Sequence, residues 1–207
     1  MNINQLVESF KAADDLAKWE VPFPMGVFGT LRAGWGNHPL MGTKVGAKPS
    51  KLNKTNRWYR PWSKAQYCQH FKAFMPHFTA SGLTIHFSPD SSAVFEVYVY
   101  DPDNWKQMIP SVERLEGFSP GRESRGYGYH RTLTWLHLLP SNFSSPFFSE
   151  SFGGRSDRDL QLPVADWKNY PKLPCWVYSS LEENQRSFEG KKSPIIWDGV
   201  LFDKVRI

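Results

Sequence analysis

Sixteen prolines and nine tryptophans in 207 residues constrain this chain more than any other feature of its sequence. Proline fixes φ and has no N–H to donate, so it interrupts helix interiors and central strands. The chain must therefore use short elements joined by many turns, with aromatic-lined surfaces rather than long helices. A hydrophobic share of 40% and a charged share of 22% place it with globular chains. Its length suits one domain over residues 1–207. The two cysteines, Cys68 and Cys175, form neither a disulfide framework nor a CxxC zinc knuckle. No apolar run reaches the roughly 18–20 residues that span a bilayer. The opening MNINQLVESF lacks the basic and apolar regions of a signal peptide. These features read as a soluble cytoplasmic protein with free thiols and no membrane partner.

Hydrophobic spacing supplies the elements. Leu6, Phe10, Ala13 and Ala17 lie on one stripe and predict a helix over 3–18, stopped by Pro22 and Pro24. Met25 to Phe28 reads as a strand running into a tight turn at Gly29-Thr30-Leu31-Arg32. Residues 42–63 have no period and several breakers, so they read as loop, with one or two helical turns expected over 63–71. Ala93 to Tyr100 is a strand of β-branched and aromatic residues. Asp103 suits the N-cap of a helix over about 104–115, with Pro110 set to kink or split it and Gly117 to end it. Strands follow at Tyr129–Leu139, at Cys175–Tyr178 and within 195–205. Between them, residues 140–156 carry six serines but also four phenylalanines, too many for an inert linker. That segment reads as a lid over a pocket mouth or as a subunit contact, within an insertion of about 140–170. The order of elements does not alternate as a doubly wound sheet does, so the fold class is α+β.

Charge is segregated. No carboxylate occurs between Glu20 and Asp90, a stretch with nine lysines and arginines, while the remainder sums to −4. An anionic partner would explain this, as would a solvated basic loop. Between 44 and 64 the cations alternate with Trp58, Tyr59 and Trp62, a pattern that also suits a single-stranded nucleic acid.

Two segments carry the chemistry. One is Phe28-Gly29-Thr30-Leu31-Arg32, followed by Asn37-His38. The other is Glu113-Arg114-Leu115-Glu116-Gly117-Phe118, followed by Tyr129-His130-Arg131. Together and in this order they resemble the γ-glutamylcyclotransferase-like (AIG2-like) family. Its members have a strand ending in Tyr-Gly-Thr/Ser-Leu, a helix ending in Leu-Asp-x-x-Glu-Gly and a later Tyr-x-Arg strand start. Cys175-Trp-Val-Tyr178 is similar to a further strand of that family. The likeness covers about 25–139 and 174–200; helix 3–18 and the insertion fall outside it. Phe28 stands where the family usually has Tyr, and Glu113 where it has Asp.

The resemblance implies a small, mixed, largely antiparallel β-barrel-like sheet with flanking helices. It also implies a cofactor-free reaction on a small anionic γ-glutamyl compound: intramolecular aminolysis that releases 5-oxoproline. Such an enzyme must take a proton from an α-amine that titrates near about 7.7–8.0, stabilise an oxyanion and hold a carboxylate. The resemblance gives the proton transfer to Glu116. An apolar setting between Leu115 and Phe118 would raise its pKa toward the working pH. Backbone N–H groups of Gly29, Thr30 and Leu31 after Phe28 would form an anion site, with Arg32 adding charge beside it. Tyr129 and Arg131 share a face; the family reading puts them at the site, and the alternative buries Tyr129 and pairs Arg131 with Glu113. The six histidines include no i, i+4 pair with a carboxylate, which argues against a metal site. A second reading keeps the fold without catalysis, as a binding module for a small anion or a nucleic acid.

Overall fold

The computed structural model describes residues 2–33, 37–46, 64–81, 84–120, 129–141, 159–160 and 164–179. The expected strand within 195–205, most of the basic loop 44–64 and the serine- and phenylalanine-rich segment lie outside these residues. The architecture is mixed α+β, built on a closed, barrel-like sheet.

The barrel uses five strands. β1 (Met25–Val27) pairs antiparallel with β5 (Thr84–Val99) and parallel with β8 (Lys172–Ser179). β8 runs antiparallel to β6 (His130–Leu138), β6 to β4 (Gln69–Ser81), and β4 to β5, which closes the ring. The short β7 (Asp159–Leu160) extends β5 at Ser92 and Ala93. β2 (Thr43–Lys44) and β3 (Gln66–Tyr67) form a separate parallel pair.

Period-two alternation sends one set of side chains inward. Phe28, Ala73, Met75, Phe95, Val97, Leu136, Cys175 and Val177 form this buried interior. Gly26 is required there: a Cβ on it would meet Leu136 Cδ1 at 2.5 Å and Val177 Cγ2 at 3.1 Å. The opposite faces of β1, β5, β6 and β8 carry Met25, Val27, Tyr98, Leu133, Trp176 and Tyr178. They pack against Leu6 and Phe10 of α1 (Ile3–Ala12) and Trp105, Met108, Ile109 and Val112 of α2 (Pro102–Glu116).

Several expectations change. The first helix is shorter than 3–18: an Asn2–Gln5 capping box starts it, Ala13 is extended, and Asp14 Oδ1 instead accepts the Ala17 N–H to begin a 3₁₀ turn at Ala17–Glu20. In place of the helical turns expected over 63–71, the described residues form β3 and the start of β4, because Thr43 and Val45 N–H donate to the carbonyls of Ala65 and Tyr67, and Cys68 N–H donates to the Val99 carbonyl. The N-cap of α2 is Asp101, not Asp103; its carboxylate accepts Asn104 N–H at 2.9 Å, and Pro102 takes a first-turn position where no N–H is needed. Pro110 leaves α2 continuous. It sits on the exposed side, so the carbonyl it leaves free faces solvent rather than the core. The long β4–β5 hairpin is anticipated only at its 93–99 end.

Candidate functional site

The C-terminus of α2 forms one wall. Gly117 adopts φ 66°, the left-handed cap that glycine tolerates best, and donates its N–H to the Glu113 carbonyl. Phe118 N–H donates to that carbonyl at 3.0 Å, and Tyr129 N–H donates to the Glu116 carbonyl at 2.9 Å. The end of α2 and the start of β6 are thereby tied together, with Glu116 and Tyr129 adjacent.

Behind this wall sits Arg131, almost fully buried. Its Nη1 lies 3.0 Å from Glu113 Oε1, and its guanidinium donates to the Trp19 carbonyl. The group lies 4.8 Å from the Trp176 ring centroid and 5.1 Å from that of Phe118, with Trp19 and Trp105 completing an aromatic box. Arg131 thus follows the alternative reading: it anchors the helix end through Glu113 rather than lining a cavity. Burial pushes the Glu113 carboxyl up, against the pull of Arg131.

The turn after β1 forms the facing wall. Phe28 points into the barrel, edge-on to Phe95 at 5.5 Å. Arg32 N–H closes the turn onto the Gly29 carbonyl at 3.1 Å, and Ala33 N–H donates to Glu96 Oε2 at 2.6 Å. The Thr30 and Leu31 N–H groups have no partner among the described residues. A Cβ on Gly29 would meet nothing within 4 Å, so the backbone there is open to an approaching group. Asn37 Nδ2 donates to Thr30 Oγ1 at 2.9 Å, and Asn37 N–H to the Thr30 carbonyl. His38 Nδ1 lies 3.0 Å from the Leu31 carbonyl, which assigns the proton to Nδ1, and 3.3 Å from the Tyr98 hydroxyl.

Glu96 braces the turn from behind. Besides Ala33, it accepts from the Tyr98 hydroxyl at 2.8 Å and lies 3.7 Å from His70 Nε2. Burial alone would push its carboxyl up. Hydrogen bonds from His70, Ala33 and Tyr98, with the attraction of His70, outweigh that and hold it at about 2.

Between the walls lies a cavity of about 170 Å³, lined by residues 26–31 and Asn37 on one side and by Leu115, Glu116, Tyr129 and Tyr178 on the other. Six of the residues singled out from sequence meet here: Phe28, Gly29, Thr30, Leu31, Glu116 and Tyr129. Two do not. Arg32 is buried away from the cavity, and Arg131 occupies its aromatic box. Tyr178, Leu115 and Glu96 were not assigned to the site from sequence. A lone acid within the apolar run 93–100 is the one signal that marks Glu96.

Glu116 is the acidic residue of the lining. Burial pushes its carboxyl up to about 7, and the negative end of the α2 dipole acts in the same direction. A carboxyl poised near neutrality, facing open backbone N–H groups across a small apolar cavity, can exchange a proton with a bound amine while an anion is held opposite. Among the described residues no group of three His, Cys, Asp or Glu could hold a metal ion, and no helix is long and apolar enough to cross a membrane. Comparison of the chain with protein-family models, with curated proteins and with solved structures gives no match.

Proposed function

We propose that this protein is a γ-glutamyl cyclotransferase-type enzyme with the γ-glutamylcyclotransferase-like fold, acting on a small γ-glutamyl amine or peptide. The observation that carries the reading is the meeting of Glu116, its carboxyl raised to about 7, with the Gly29–Leu31 turn around one cavity. The closed mixed barrel agrees with it.

In this reading the substrate α-carboxylate lies against the N–H groups of Thr30 and Leu31. The α-amine then faces Glu116. Ionised Glu116 takes a proton from the amine as its nitrogen attacks the γ-carbonyl carbon. The N–C bond forms, and the carbonyl electron pair moves onto oxygen. When that pair returns, the bond to the γ-linked amine breaks and Glu116 returns the proton to the leaving nitrogen. Ring closure within one bound molecule supplies a large effective molarity, so the site need only fold the substrate and move one proton. Cations in the acid-free stretch would then serve, at most, to steer an anionic substrate toward the cavity.

The test is release of 5-oxoproline from a panel of γ-glutamyl peptides and amines. The wild-type protein should turn over at least one, and Glu116→Gln should lower kcat about 10²–10⁴-fold while ligand binding is retained. Binding without turnover by the wild type would favour the non-catalytic anion-binding module; turnover unchanged in Glu116→Gln would remove Glu116 as the base.

A further inference from the structure

Asparagine is a favoured N-cap because its side-chain oxygen accepts a backbone N–H at the start of a helix. Asn37 holds that place before the 3₁₀ turn His38–Met41, yet its side chain makes no cap bond, and Pro39 within the turn has no N–H to offer. The rest of the residue is tied down. Its N–H donates to the Thr30 carbonyl at 3.1 Å, its carbonyl accepts from Leu40 N–H at 3.0 Å, and its Nδ2 donates to Thr30 Oγ1 at 2.9 Å. Oδ1 is the acceptor left over, with no partner among the described residues. It is not one of the polar atoms sealed in the interior, and Asn37 lines the cavity beside Thr30. A fixed amide thus brings an unused acceptor to the wall that also carries the open turn N–H groups.

We propose that Asn37 is a catalytic residue that holds the substrate α-amine: Oδ1 accepts one amine N–H while the nitrogen attacks. The inference rests on the cyclotransferase reading and adds to it the group that aims the nucleophile. The attacking nitrogen has two hydrogens and one lone pair. With one hydrogen directed at Glu116 and the other at Asn37, the lone pair has a single direction left, toward the γ-carbonyl carbon. The amine and the α-carboxylate share the α-carbon. An amine held by Asn37 therefore fits a carboxylate held by the N–H groups of Thr30 and Leu31, next along the same wall. The nitrogen–carbon bond forms with the lone pair. The hydrogen given to Glu116 passes to the leaving nitrogen, and the hydrogen on Asn37 stays behind as the lactam N–H of 5-oxoproline. Asn37 itself gains and loses nothing. An amide suits the place, because it accepts without a negative charge that would repel the neighbouring α-carboxylate.

Two ligands test this: a γ-glutamyl amide, and the glutaryl amide of the same amine, which lacks only the α-amine. In Asn37→Ala, kcat/KM for the γ-glutamyl amide should fall about 10–100-fold, the range for losing a hydrogen bond to a group that carries charge. The inhibition constant of the glutaryl amide should hold, because its carboxylate still meets the turn. Tm should hold as well, since both backbone bonds of Asn37 remain. Asn37→Asp keeps an acceptor at the place, and the Thr30 hydroxyl can turn to donate to it. That variant should recover most of the lost kcat/KM and weaken binding of the glutaryl amide through repulsion. Wild-type kcat/KM in Asn37→Ala overturns the assignment. So do parallel losses for both ligands, which would make Asn37 a brace of the turn, and an Asn37→Asp variant no better than Asn37→Ala. A wild-type protein inactive on the whole γ-glutamyl panel overturns the cyclotransferase reading and this inference with it, whereas an active wild type with any of those results overturns this inference alone.

Discussion

The raised pKa of Glu116 has a thermodynamic consequence that needs no substrate. The carboxyl titrates near its ordinary 4.5 in the unfolded chain and near 7 in the folded one. Between those values the folded state keeps a proton that the unfolded state has lost, so stability falls as pH rises. The contribution is fully present below about pH 4.5 and gone once pH has risen through about 7. At about 1.36 kcal/mol per pH unit, a gap of 2.5 units sets a ceiling of about 3.4 kcal/mol. Glu116 still reaches solvent at the cavity mouth, and screening there lowers the expected value to about 2 kcal/mol. Other groups titrate in the same window, His38 among them with its pKa lowered by burial, so the quantity to measure is a difference. Urea denaturation of wild type and Glu116→Gln from pH 4 to 8.5 provides it. The variant should match the wild type near pH 4 and exceed it by about 2 kcal/mol at pH 8, and the midpoint of this difference should fall within the window where kcat rises. A difference that stays flat would mean that Glu116 is an ordinary solvated carboxylate. A difference of opposite sign would mean that it is paired. Either result refutes the general-base argument at its root, whatever the activity assay shows.

Gly26→Ala should destabilise the protein by about 1–3 kcal/mol through overpacking of the closed interior. Because the added Cβ meets Leu136 first, Gly26→Ala combined with Leu136→Val should cost less than the sum of the two singles in denaturant titrations; strict additivity would place the strain elsewhere. Glu96→Gln replaces a charged acceptor that braces the turn and should cost about 1.5–3 kcal/mol at pH 7. The Glu96 carboxyl is held at about 2, so its contribution is present above pH 4.5 and lost as pH falls toward 2. The gap between wild type and variant should therefore narrow in acid, and amide exchange at Ala33 should quicken in the variant at neutral pH. An unchanged Ala33 amide would show that Glu96 does not hold the turn.

Much of the candidate site was legible along the chain because its parts are local. A short apolar strand running into Gly29-Thr30, and a helix closed by Glu116-Gly117, are set by contacts within a few residues: the turn's own hydrogen bond and the left-handed glycine cap. Arg32 and Arg131 misled for a common reason. A cation beside a motif looks like a binding group in one dimension, whereas Arg131 is drawn into a box built from Trp19, from Trp105 and Phe118 at the two ends of α2, and from Trp176, three segments far apart in sequence. Burying a guanidinium is affordable only where a carboxylate and aromatic faces converge, and no local pattern reveals such convergence.

The sequence by itself therefore determined the class of the fold, the strand-turn and the helix end, because periodicity, proline, glycine and capping act over a few residues. Tertiary structure decided the rest. Gln66 and Tyr67 became strand because the neighbouring Ala65 and Tyr67 carbonyls accept from Thr43 and Val45, and Cys68 N–H donates to Val99. Glu96 came to brace a turn more than sixty residues away because β1 pairs with β5 in the register that sets Val27 opposite it. Tyr178 came to face Glu116 only once β8 had closed the barrel against β1 and β6. Ring closure sets which distant side chains share a face, and that depends on strand order and register, which no single segment encodes.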